Sequence, residues 1–78
     1  MQASNSLPLM TGAALARKAK RVAAYAVERA TEQVAARERW YGEEPCAYRA
    51  AALADARGEL ERASAAAAGC GVRLPRSA

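Results

Sequence analysis

A 78-residue chain with no histidine lacks the usual proton shuttle and the commonest metal ligand. The other reactive residues are sparse. Cys46 and Cys70 form no metal-type spacing. If both sit on one helix, about 36 Å of axial rise separates them, beyond disulfide reach within the chain. They are expected to be free thiols in a reducing cytosol. Cys46 falls near an expected helix N-terminus, which can lower a thiol's pKa, but without histidine it reads as a small buried seam residue. Asp55, Glu59 and Arg62 recur at spacings of four and three, so a carboxylate site and an exposed intrahelical ion cluster share one pattern. The ion cluster is the expected reading. Gly69 and Gly71 flank Cys70 but follow a helix rather than open one, so they make no phosphate loop. The sequence predicts no enzyme, no cofactor, no metal and no small-molecule substrate.

Charge offers a second kind of chemistry. Arg17, Lys18, Lys20 and Arg21 stand in a first segment without acids, while all eight acidic residues fall between positions 28 and 62. Arg73 and Arg76 add two bases near the C-terminus. If the chain doubles back, its two ends meet and form a basic patch that attracts phosphates or an acidic protein surface. Nucleic-acid proteins usually add stacking aromatics or base-reading side chains to such clusters, and here only Tyr25 is close. The alternatives are a solvated helix face, an acidic protein partner or an anionic membrane. The apolar face of this segment is mostly alanine and would insert weakly into lipid.

Two elements must position these residues. Thr11 suits a helix N-cap, and alanine-rich sequence then runs without proline to Tyr41. Gly42 suits a left-handed C-terminal cap, and Pro45 suits the first position of a second helix. Glu43 and Glu44 would then stand at that helix's positive end. The expected layout is an irregular arm over 1–10 and a hairpin over 11–69, with a first helix over about 12–41, a turn at 42–44 and a second helix over about 45–68. Residues 70–78 form a tail. The fold class is all-α: an antiparallel two-helix hairpin with an alanine-rich seam.

The second helix carries a heptad seam of Cys46, Arg49, Leu53, Ala56, Leu60, Ala63, Ala67 and Cys70, with Arg49 its one polar intruder. On the first helix the apolar stripe reads Leu15, Ala19, Val22, Ala26, Ala30, Val34 and Tyr41, and its spacing drifts midway. Only 16 residues carry a large apolar side chain, against 23 alanines. Alanine favours helix but fills little space, and a core this small seldom supplies more than about 3–5 kcal/mol. Self-association into a homodimeric four-helix bundle would supply the missing burial, with Leu15, Val22, Val34, Leu53 and Leu60 in the hairpin or dimer seam.

The stretch "RERWYGEEPCAY" gathers Trp40, Tyr41 and Tyr48 at the turn. There they cap a thin seam or, with Tyr25, offer anchors to a partner, since Trp, Tyr and Arg dominate binding hot spots. No apolar run is long enough for a membrane span, and the N-terminus lacks a basic region followed by an apolar core. A cytoplasmic, non-catalytic protein-binding module is the expected role. A nucleic-acid binder using the basic end and a structural subunit of a larger assembly are the alternatives.

The stretch from "TGAALARKAKRVAAYAVERATEQVAARERWY" through "PCAYRAAALADARGELERASAAAAG" resembles the small helical-hairpin proteins that bacteriophages make to bind and disable host bacterial proteins. The resemblance lies in size and shape over residues 11–69 and carries no functional residue across. It implies an inhibitor or regulator directed at a bacterial protein.

Overall fold

A computed structural model describes residues 11–73, which form two helices, α1 over Gly12–Glu43 and α2 over Ala47–Gly69. Among the described residues there is no strand, and the architecture is a helical hairpin. The expected 1–10 arm and the last five residues of the expected tail, Arg76 among them, lie outside the described residues.

The start of α1 follows local chemistry. Thr11 holds an extended backbone, φ −70° and ψ 165°, and its hydroxyl accepts a 3.1 Å hydrogen bond from the Ala14 amide. That satisfies one of the four amides a helix leaves free at its first turn. The end of α1 differs from the expectation. The helix runs through Gly42 to Glu43, and Gly71 is the one described residue with a left-handed backbone. Proline, not glycine, stops the helix. The ring of Pro45 disfavours helical geometry in the residue before it, and Glu44 is accordingly extended at φ −152° and ψ 88°. Nor does Pro45 open the next helix: Cys46 takes the N-cap position, extended and without a side-chain cap bond, and α2 begins at Ala47. Glu43 and Glu44 therefore close α1 instead of standing in the first turn of α2.

The far end of α2 is a Schellman turn. The Val72 amide donates to Ala67 O at 2.9 Å and the Gly71 amide to Ala68 O at 3.0 Å, with Gly71 at φ 82°. Glycine is required there because a side chain at that φ meets its own backbone. Val72 is half-buried and Ala67 is fully buried, which is the apolar contact that accompanies this turn.

The helices differ in length, about 48 Å for α1 and about 35 Å for α2 at 1.5 Å per residue. The Lys20 side chain lies against Gly71, where an added Cβ would sit 3.4 Å from its Cε. Lys20 thus stands opposite the end of α2, and the first two turns of α1 overhang it. The overhang includes Leu15.

The seam expected on α2 is the buried one from Arg49 to Ala67. Leu53, Ala56 and Ala67 are buried and Arg49, Leu60 and Ala63 are half-buried. Its two end members differ: Cys46 and Cys70 are free and exposed, because each sits at a cap and not within the helix. On α1 the buried stripe is shifted. Half-buried Ala23, Val27, Ala30, Val34, Arg37 and Tyr41 follow one another at unbroken spacings of four and three, with half-buried Ala14, Ala35 and Trp40 outside that series. A strict heptad on α2 selects the strict set on α1, and that set brings in Val27 and Val34. Leu15 and Val22 fall about 100° from it around the helix, and they remain 53% and 59% exposed. No residue of α1 is fully buried. The chain is only 14 Å through its thinnest direction, one layer of helices with both broad faces open.

Candidate protein-interaction surface

The closed end of the hairpin is densely bonded. Arg49 reaches back across the turn and donates a 2.7 Å hydrogen bond to the Trp40 carbonyl. That carbonyl is one of the last four in α1, which have no acceptor role within the helix, and a cation there also meets the negative end of the dipole. The same guanidinium lies 4.6 Å from the centre of the Trp40 ring and pairs with Glu44 at 3.4 Å. Arg37 stands over the Trp40 ring at 5.1 Å. Tyr48 meets Trp40 edge-on, with ring centres 6.0 Å apart and an interplanar angle of 80°. The polar intruder in the α2 seam is therefore the residue that fastens the two helices at the turn. Nothing in the apolar pattern marked it; an arginine in a heptad seam just beyond a turn was the available signal.

The aromatic residues divide between the two roles weighed from the sequence. Trp40 is half-buried and committed to Arg37, Arg49 and Tyr48. Tyr41 is half-buried and points to the other side of the seam, where it lines a shallow depression with Leu53 and Ala54. Beside it Arg57 and Glu38 form an exposed ion pair at 3.2 Å. Tyr48 is 75% exposed apart from its edge on Trp40. Tyr25 stands away from the turn on α1, exposed, with its hydroxyl accepting from Arg29 at 3.3 Å. The hydrogen bond to that hydroxyl, with the electrostatic influence of Tyr25 and then of the Glu32 carboxylate, raises the Arg29 pKa above its ordinary value. Arg29 is charged at any physiological pH in either case.

The open end is built differently. Leu15, Ala19, Val22 and Ala26 of α1 and Ala66 and Cys70 of α2 line an apolar groove. Lys18 borders it, and Arg17, Arg21 and Arg73 are exposed on the same end. Residues 11–27 and 63–73 carry five bases and no acid. Lys20 is the one base with a structural duty, since it lies at the C-terminal end of α2 where the dipole favours a cation. The groove continues toward the turn but changes character. Beyond Ala26 it is lined by Arg29, Gln33 and Glu59, and then by Arg37, Asp55 and Ala52. Arg62 folds back along Gly58 rather than pairing with these acids: an added Cβ on Gly58 would lie 3.3 Å from its Nη1. Asp55 and Glu59 thus belong to a groove wall.

Among the described residues, no group of three His, Cys, Asp or Glu side chains stands close enough to hold a metal. No described helix is long and apolar enough to cross a membrane. Comparison with protein-family models, with curated proteins and with solved structures finds no match for the chain.

Proposed function

We propose that this chain is a non-catalytic helical module that acts by binding another protein through the broad face at its open end. One observation supports the reading above the others: Leu15 and Val22, two of the few large apolar side chains, stand more than half exposed along one groove. Single exposed apolar residues are ordinary, but a pair lining one groove in so thin a core is a surface awaiting a partner. The role of regulator or inhibitor, as in the phage proteins it resembles, and a cytoplasmic setting belong to the same proposal. Leu15→Glu with Val22→Glu should abolish capture of a partner by the full chain while circular dichroism shows the helices retained. Undiminished capture by that variant would contradict the reading.

A homodimeric bundle is the second reading, favoured by the single-layer architecture. Its partner face is the depression around Tyr41, Leu53 and Ala54 on the other side of the seam. Sedimentation equilibrium of the full chain tests it, and a monomer at every concentration removes it. Nucleic-acid binding would draw on Arg17, Lys18 and Arg21, but the groove that Lys18 borders is apolar and carries no stacking ring.

A further inference from the structure

The occupant of the open-end groove can be specified from its two halves and its rim. We infer that it takes an acidic amphipathic helix of another protein, about three turns long. The inference rests on the protein-binding reading above and names its partner's chemistry.

Three kinds of occupant bring different balances of apolar and charged contact. A second copy laid open end to open end would match Leu15 and Val22 to themselves. It would also gather ten bases and no acid from the described ends of the two copies, a like-charge arrangement that opposes association. Laid open end to closed end, a second copy relieves that repulsion but sets Leu15 and Val22 against Arg29, Gln33 and Glu59, polar groups that lose water without gaining partners. A second copy satisfies one term at the expense of the other. An anionic membrane would meet the charge, but the apolar surface is a groove between two helices rather than a protruding face. It offers lipid only two large side chains.

A helix with an apolar stripe flanked by Asp and Glu satisfies both terms together. Its apolar side chains, at spacings of three and four, enter the groove between α1 and α2. Its acids meet Lys18 at the groove edge and lie in the field of an end that carries five bases and no acid. The apolar wall from Leu15 to Ala26 is about 17 Å long at 1.5 Å per residue, which sets the length at about three turns. Toward the turn, Glu59 and Asp55 repel an acidic segment and mark where the site stops.

The test is fluorescence anisotropy of the full chain with three labelled 14-residue peptides. One carries leucines at i, i+4 and i+7 with flanking glutamates. The second keeps the leucine stripe with lysine flanks, and the third keeps the glutamates with the leucines scrambled. The acidic striped peptide is expected to bind at least about tenfold tighter than either control, with the advantage shrinking as salt rises to roughly 0.5 M. Val22→Glu should weaken it at least about tenfold, with helix content unchanged because the position is exposed. Equal binding of the acidic and basic striped peptides would overturn the acidic partner and leave the protein-binding reading standing. Stronger binding to phosphatidylserine vesicles or to single-stranded DNA than to the acidic peptide would overturn the inference outright. If no striped peptide binds and Val22→Glu alters no partner capture, the inference and the protein-binding reading fall together.

Discussion

The two ends of the hairpin use similar residue types for different ends. At the turn, arginines are consumed internally: Arg49 holds the Trp40 carbonyl, the Trp40 ring and Glu44, and Arg37 covers the same ring. At the open end, Arg17, Lys18 and Arg21 are exposed, and Lys18 borders the groove where Leu15 and Val22 face solvent. A chain with little apolar mass has placed its polar bonds where the fold must be closed and left exposed apolar surface along the groove at its open end. Under the proposed function, the difference separates a stabilising end from a binding end, and substitutions should separate them too.

The largest effect belongs to the seam that joins the ends. Leu53→Ala should cost about 2–4 kcal/mol, from lost burial and the cavity left behind. In a core of this size that is most of the stability, so far-UV circular dichroism should show loss of helix at 25 °C. Next is the turn. Arg49→Ala removes a charge-assisted bond to a helix-end carbonyl and should cost about 1.5–3 kcal/mol by urea denaturation. Arg49→Lys should recover only part of this, because a lysine cannot hold the carbonyl and cover the ring with one planar group. Gly71→Ala forces a side chain into the left-handed region and should cost about 1 kcal/mol, read from the same transitions. The smallest effect is expected at the open end, where Val22→Glu should change stability by less than about 0.5 kcal/mol. An open-end substitution as damaging as Arg49→Ala would break the division between the two ends.

Much of the scaffold was legible in the sequence, and the failures have physical causes. Thr11 announced the start of α1, and the strict spacing from Arg49 to Ala67 announced the face that α2 buries. The end of α1 was misplaced because Gly42 permits a left-handed cap without requiring one, whereas Pro45 constrains Glu44 outright. The α1 seam was read from the largest side chains, which favoured Leu15 and Val22. Packing instead follows the set that stays in step with the α2 heptad, so a smaller but unbroken series wins. With Leu15 and Val22 placed in a hairpin or dimer seam, the sequence reading draws its partner-binding candidates from the aromatic residues instead. The meeting of Trp40 and Tyr48 at the turn was foreseeable. The bond from Arg49 to Trp40 O was not, because a backbone carbonyl left over at a helix end has no signature in the side-chain pattern.

The most direct measurement is a nuclear magnetic resonance titration of the full chain with the acidic striped peptide, following backbone amides. The account predicts shifts confined to residues 15–26 and 63–72, with Arg37, Trp40, Tyr48 and Arg49 unmoved. Shifts centred on Trp40 and Tyr48, with Leu15 and Val22 silent, would contradict it and make the aromatic turn the binding end.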